Sequence, residues 1–549
     1  MKRELARLAD TTFDLAVVGG GIYGAAIARE ASLRGLAVAL VEKGDFASAT
    51  SSNSHKIVHG GLRYLQHGDL YRVRASIRER SALLRIAPHL VRVQSFLMPT
   101  YGHGLRGREA LLAALSLNEL LSFDRNHGLD HSRQIPAARM LSAAECSRLA
   151  PGIPREGLTG GALWYDGLMI DSERVVLAFL RSAAEKGAAL ANYTAATAPL
   201  VRGGRLEGVR VRDALGSNEL DLRARVVIDA GGPWSVRGAV AGGDLARGRD
   251  VALAKALNLV LPPIVGEHAI GLGRRFLDGG GRTRSDRRLF FLVPWRGVTL
   301  AGTTYLPYQG TPDGLAVTEA EIETFVQEIV LAYPTIRLSA GDVRLVHVGL
   351  VPVTGRRELA ADVELATRFQ IRDHADGMLS VTGVKYTTAR GVAEAAVDRV
   401  AARLGLAARD SSSDDVPLCG GEFAGGIDRY VEQEVAGAPP GVSAETIRHW
   451  VSAHGSRYRA VMALGAEDRR WLESVAEDSE VTGADVVHSI RHEMAVTLAD
   501  VVFRRTGLGS AGDPGGHALE AAAQIAAREL GWSEGRTSEE LAEVRRRFP

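Results

Sequence analysis

The chain has 549 residues, 46% hydrophobic and 24% charged, with a formal net charge of +1. That length predicts two or three domains, each with enough apolar sequence for its own core, and the near-balanced charge gives no general drive toward nucleic acid. Two distant cysteines, Cys146 and Cys419, fit no metal or redox spacing and point to a reducing, cytoplasmic compartment; no signal peptide and no apolar run long enough to span a membrane is read.

The first predicted unit is FDLAVVGGGIYGAAIAREASLRGLAVALVEKGD, residues 13–45. An apolar strand runs into Gly19-x-Gly21-x-x-Gly24, then a helical pattern, then a second apolar strand ending at Glu42. This order specifies a dinucleotide-binding turn. Gly19 permits the tight turn, Gly21 lets backbone approach a pyrophosphate, and Gly24 lets helix and sheet pack closely. The helix N-terminus faces the phosphates, Glu42 can accept from an adenosine ribose, and Lys43 beside it is a further candidate for the cofactor.

Next comes TSSNSHKIVHGGLRYLQHGDL, residues 50–70, rich in glycine, hydroxyl and histidine side chains. Ser51, Ser52 and Lys56 suit phosphate oxygens, His59-Gly60-Gly61 brings backbone close, and Arg63 and Tyr64 are placed to point past the cofactor. Apolar spacing predicts helices at 71–90, 109–122 and 172–186, with a loop-rich stretch at 123–160 and a hairpin around VRGGRLEGVRVRD. A strand then ends at Asp229-Ala230-Gly231-Gly232, small residues that suit a bound cofactor. Strands dominate 251–345, with one helix near 318–332 introduced by Thr318. Residues 378–405 read as strand, small-residue turn and helix, with amides near Gly383 facing the cofactor. A polar linker at 406–418 precedes a mostly helical 420–549.

GGGIYG, SHKIVHGGLRYL, DAGGPW, LFFLVPW with AGTTY, GVKYTTAR and IRHEMAVTLADVVFRRTGLG occur in this order along nearly the whole chain. On them the sequence resembles the FAD-dependent, quinone-linked glycerol-3-phosphate dehydrogenases. The resemblance implies an α/β fold: a Rossmann-like FAD-binding domain, a mostly β substrate domain and a C-terminal helical domain. The expected boundaries are 1–110 for the first FAD-binding segment, 111–235 for a mixed segment returning to it, 236–345 for the substrate domain, 346–410 for the last FAD-binding segment and 420–549 for the helical domain. The implied chemistry is hydride transfer from the C2 carbon of a phosphorylated alcohol to flavin N5, with electrons passed to quinone and no metal. Lys385 would stand at the reacting centre, Arg63 and Tyr64 would meet substrate, Arg368 would add positive charge, and Thr387 and Thr388 would support the flavin. A seat on the cytoplasmic face of the inner membrane, on anionic lipid, is compatible with this, and a homodimer is left open.

The sequence departs from the family's pattern where substrate is bound. A Gly-(Leu/Val)-Arg-Pro segment reads Gly349-Leu350-Val351-Pro352, a Thr-Thr-Asp reads Thr303-Thr304-Tyr305, and a histidine position falls near Asn258. Val351 offers none of an arginine's donors, so Arg356 is a candidate replacement. His55 and His347 are candidates for a relocated base. These changes keep open a different hydroxy acid, polyol or amino substrate. The segment 273–288, with six arginines, reads as a solvated loop or an anion contact.

Overall fold

The computed structural model describes residues 1–104, 107–235, 252–277, 281–353, 365–366, 368–383, 385–407 and 409–549. Strand Thr12–Val18 is the axis of the first sheet. It pairs in parallel with Val38–Val41 on one side and Glu219–Asp229 on the other. Ala189–Ala191 extends the sheet beyond Val38–Val41, Leu379–Thr382 extends it in parallel beyond Glu219–Asp229, and Gln370–Asp373 closes that edge antiparallel. A hairpin, Thr194–Arg202 with Arg205–Asp213, continues from Glu219–Asp229. Helices Ile22–Leu33, Ser172–Glu185 and Ala389–Leu404 share one buried core with the central strands. Near-continuous burial along Val38–Val41 matches a parallel strand covered on both faces.

The second sheet has nine strands. Its main path runs Leu345–Val353, Ala252–Leu261, Val298–Tyr308, Thr283–Trp295, Ala269–Leu277, Val91–Tyr101, Leu158–Met169 and Ile57–Val58, with Arg139–Leu141 paired to Leu158–Met169. Helix Glu319–Ala332 covers this sheet, and Phe325 meets Phe290 edge-on at 5.7 Å. The Thr318 hydroxyl and the Glu321 carboxylate form the expected capping box at its start.

Val91–Tyr101, Leu158–Met169 and Leu345–Val353 are all strands of the second sheet, so that sheet draws on segments on both sides of the expected boundaries. Alternating sequence reveals a strand but not its distant partner. The chain crosses from one sheet to the other through residues 42–57, so that loop lies at the junction. From Ile427 onward the described chain is helical and builds two further cores, one around Trp450 and Tyr458, the other around Val501 and Leu519. Among the described residues no helix is long and apolar enough to cross a membrane.

Candidate functional site

The glycine turn has no room for side chains where the sequence omits them. Gly19 has φ +106°, and a Cβ there would lie 2.8 Å from the Ala230 carbonyl oxygen. A Cβ on Gly24 would lie 1.9 Å from the Gly19 oxygen. Helix Ile22–Leu33 has no side-chain cap on its N-cap residue Gly21; the Ser51 hydroxyl meets its first turn, accepting from the Ile22 N–H at 3.0 Å. The remaining amides form an anion-binding end. Glu42 accepts from the Gly20 N–H at 2.6 Å and the Gly44 N–H at 2.9 Å. Each carboxylate oxygen keeps a lone pair for a further donor. Burial raises the Glu42 pKa, and the two amides pull against it.

Ala230 and Gly231 abut this turn. The Ala230 N–H donates to the Val18 oxygen at 2.8 Å, and Gly231 is held by the Asp229 carboxylate at 3.0 Å. The exposed Lys43 ammonium pairs with Asp313 at 2.8 Å, and Trp234 donates to the same carboxylate oxygen at 2.9 Å. That contact ties the two sheets together.

The loop after Glu42 threads along the second sheet. The Thr50 hydroxyl bonds to both backbone groups of Leu350, at 3.1 and 3.2 Å. Asn258 donates to the Asn53 carbonyl at 3.1 Å. Lys56 anchors the same loop. Its fully buried ammonium donates to the Ser52 carbonyl, the Ser172 hydroxyl and Glu173 at 2.7, 2.9 and 2.7 Å. All three donors are used, so Lys56 fixes the Ser51–Ser52 turn from behind instead of binding phosphate. Further along, Gly60 donates to Asp166 at 2.8 Å, and a Cβ there would meet Arg80 at 2.2 Å. His59, half-exposed, lies 3.7 Å from Asp166. Burial raises the Asp166 pKa, but His59 and Arg80 more than offset it. Gly61, at φ +89°, opens the short 3-10 helix Leu62–His67.

That helix presents Tyr64 to Lys385, whose ammonium stands 3.4 Å from the Tyr64 ring centroid, while Arg72 stands 4.1 Å from the same centroid. Two cations on one ring concentrate positive charge here. The Lys385 backbone is fixed by Tyr23, whose hydroxyl donates to its carbonyl at 2.6 Å and accepts from its N–H at 3.1 Å. The Tyr23 ring fills the space over Gly383, where a Cβ would come within 1.8 Å. Thr387 is buried just before helix Ala389–Leu404, whose N-cap Thr388 makes no side-chain cap bond; in its first turn the Ala389 N–H donates to the Tyr386 carbonyl at 3.1 Å and the Gly391 N–H meets the Glu79 carboxylate. The side chain of Arg63 and all of Arg356 lie outside the described residues. Arg368 is exposed, two residues before strand Gln370–Asp373.

The two histidines differ. His55 bonds through Nε2 to the Leu300 carbonyl at 3.2 Å. A carbonyl only accepts, so Nε2 carries the proton and Nδ1 keeps the lone pair. Burial lowers the His55 pKa to about 4, so the ring is neutral near pH 7. His347 is buried beside Lys56 and Glu173 with an unpartnered Nδ1, and burial lowers its pKa to about 3.

The three departures from the family pattern meet on one sheet face. Ala256 pairs with both Tyr305 and Gly349, and Asn258 pairs with His347. Alternation along Leu345–Val353 puts His347, Gly349 and Val351 on the same side, the side Thr50 packs against: a Cβ on Gly349 would lie 2.9 Å from Thr50 Cγ2. Sequence reading missed Tyr23, Glu173 and Asp166. Tyr23 fills a free position of the glycine motif, and the acids sit in ordinary strand and helix contexts without a local signal.

These features define a dinucleotide-binding redox fold, and comparison agrees. The model for FAD dependent oxidoreductases matches residues 14–399, and that for the C-terminal domain of alpha-glycerophosphate oxidase matches 411–537. The chain belongs to the FAD-dependent oxidoreductases; it is an enzyme of that family and its cofactor is FAD. Within the family it is similar to proteins named glycerol-3-phosphate dehydrogenase. One from Synechocystis sp. is 31% identical over 558 residues, spanning 98% of this chain and 97% of the relative. Glycerol-3-phosphate dehydrogenase 2 of Mycobacterium tuberculosis is 32% identical over 545 residues, spanning 98% and 88%. The solved glycerol-3-phosphate dehydrogenase from Bacillus halodurans complexed with FAD superposes with TM-score 0.74 at 25% identity, covering 99% of this chain and 95% of that one.

Proposed function

We propose that the enzyme oxidises the C2 hydroxyl of sn-glycerol 3-phosphate, or a close polyol phosphate, to the ketone and passes the electrons to quinone. FAD, when bound, would supply the acceptor for the two electrons and the hydrogen removed from C2. Gly19, Gly21 and Gly24 with the N-terminus of helix Ile22–Leu33 would hold the phosphates, Glu42 the ribose, and Ala230, Gly231 and Gly383 the close backbone contacts. Lys385 with Tyr64 would draw the anionic substrate, and neutral His55 would take the hydroxyl proton on Nδ1. The single observation that carries this reading is the Lys385–Tyr64 pair, 3.4 Å apart and fixed by Tyr23 to the glycine turn. It joins the anion-binding wall directly to the cofactor cradle.

Support for a lipid-soluble acceptor comes from helix Arg108–Leu121, which packs on the 3-10 helix that bears Tyr64. Leu112, Leu117 and Leu120 are exposed along it; Phe123 just beyond is 79% exposed, and Tyr71 on the adjoining helix 83%. An apolar face of this kind fits a membrane surface, where quinone dissolves. Anaerobic bleaching of the flavin absorbance tests the substrate. Glycerol 3-phosphate should reduce the enzyme faster than glycerol, lactate or glycine, and no reduction by any polyol phosphate would refute the proposal. A second reading, a different hydroxy acid, polyol or amino substrate, is favoured by Val351, Tyr305 and Asn258 lying on one face; faster bleaching by a non-phosphorylated compound would select it.

A further inference from the structure

The C-terminal helices reach back into the cofactor turn. Asp45, three residues after Glu42, is 2% exposed and receives four donors. Arg505 donates to both its oxygens at 2.7 and 2.8 Å, Arg504 donates at 2.6 Å and Asn192 at 2.9 Å. Arg504 also pairs with Asp500. Two buried arginines thus face two buried aspartates, a neutral set. Burial would raise the Asp45 pKa, but Arg505 and Arg504 pull it down to about 2.

A second tie runs through Asn192 and Tyr193. Asn192 also donates to the Met494 carbonyl at 2.8 Å, and the Tyr193 hydroxyl donates to Asp500 at 2.7 Å. The backbone beside them binds the acid turn directly: the Tyr193 N–H donates to the Gly44 carbonyl at 2.8 Å, and the Thr194 N–H to the Glu42 carbonyl at 2.7 Å. On the other side of Asp45, the Phe46 ring packs against Gly20, where a Cβ would come within 2.6 Å, and the Ala47 N–H donates to the Gly20 carbonyl at 3.1 Å. Each step from Arg505 to the glycine turn is a buried contact.

We propose that Arg504 and Arg505 are positioning residues for FAD: by clamping Asp45 and the Asn192–Tyr193 segment, the C-terminal domain holds the Gly19–Gly24 turn and Glu42 in the shape that receives the dinucleotide. The domain's role is then to set cofactor affinity. This does not depend on which alcohol is oxidised, so the substrate assignment can fail without affecting it.

A second interdomain ion pair supplies the control. Arg181 bonds the Glu493 carboxylate at 3.0 Å and joins the same two domains through that carboxylate rather than through Asp45; the Glu493 carbonyl accepts separately from Arg505 Nε at 3.0 Å. The test titrates deflavinated full-length protein with FAD and follows quenching of FAD fluorescence, alongside the melting temperature of the apo form. Arg505→Met should raise the FAD Kd by about tenfold or more, equivalent to about 1.4 kcal/mol. Arg505→Lys, which keeps the charge and loses the fork, should fall between it and wild type, and Arg181→Gln should lower apo stability while leaving the Kd near wild type. Equal effects of Arg505→Met and Arg181→Gln on the Kd, or an unchanged Kd in Arg505→Met, would overturn the proposal. Should Arg505→Met not fold, Tyr193→Phe decides: it removes only the bond to Asp500, and a Kd weakened by about threefold supports the clamp, whereas an unchanged Kd overturns it.

Discussion

Lys56→Met should destabilise the enzyme in a pH-dependent way. The Lys56 side chain is fully buried, that of Glu173 is 4% exposed, and Nζ and Oε2 are 2.7 Å apart. Methionine preserves most of the volume, so the loss is chiefly the cation. Removing one member of a buried pair costs about 3–5 kcal/mol. The ceiling is set by the alternative of protonating Glu173: from an ordinary pKa of about 4.3 to pH 7, at 1.36 kcal/mol per unit, that costs about 3.7 kcal/mol. The sign follows from linkage. In the wild type, burial raises the Glu173 pKa but Lys56 more than offsets it, so the folded pKa is lowered; the stabilisation is present above the unfolded pKa and lost as pH falls through the folded one. In the variant the folded pKa is raised, native protein holds a proton that unfolded protein lacks, and the deficit shrinks on acidification. Thermal melts in fixed excess FAD should show Lys56→Met lower by on the order of 5–10 °C at pH 8, with a smaller gap at pH 5.5. Lys56→Met with Glu173→Gln should recover more than half of the loss. A deficit equal at both pH values, or no recovery in the double variant, would refute the argument.

Gly24→Ala places a methyl 1.9 Å from the Gly19 carbonyl oxygen, so the purified variant should carry little flavin by its visible-to-ultraviolet absorbance ratio. Lys385→Met should retain flavin and lose about 10²–10³ in kcat/KM, as expected when a fixed charge beside the reacting groups is removed; steady-state kinetics with an artificial acceptor read this. With its pKa lowered to about 4 by burial, His55 is in its neutral, proton-accepting form at any pH above that value. The flavin reduction rate should therefore show no acid limb assignable to His55 until pH falls toward 4, and His55→Gln should slow reduction by about 10²–10⁴, measured by anaerobic stopped flow.

What the sequence revealed was governed by local backbone shape. Gly19, Gly21 and Gly24 are legible because a turn against a helix end excludes Cβ atoms, and the space measured at Gly19 and Gly24 is that exclusion. Thr318 and Glu321 were legible because a capping box closes within four residues. Lys56 was misread because its partner Glu173 lies 117 residues away: a lysine in a serine-rich loop suits phosphate until a buried acid is known to face it. Tyr23 and Lys385 meet across 362 residues, and only the packing of helix Ile22–Leu33 beside Ala389–Leu404 brings them together.

The same distinction separates the two halves of the site. The cofactor half is built from consecutive residues, so it shows in short motifs. The substrate half depends on which strands lie side by side, and Tyr305, Asn258 and Val351 look like three unrelated changes until Ala256 is seen paired with both Tyr305 and Gly349, and Asn258 with His347. Placed on one face, they form a single altered surface that has exchanged an arginine, an acid and a histidine for an apolar, a phenolic and an amide side chain. On the proposed reading, the positive charge facing substrate would come from the other wall, from Lys385 over Tyr64 with Arg72 on the same ring. A substrate anion drawn to that wall would keep its phosphate on the Tyr64 side. Selectivity among alcohols should accordingly respond to Tyr64 and Arg72 more strongly than to Val351.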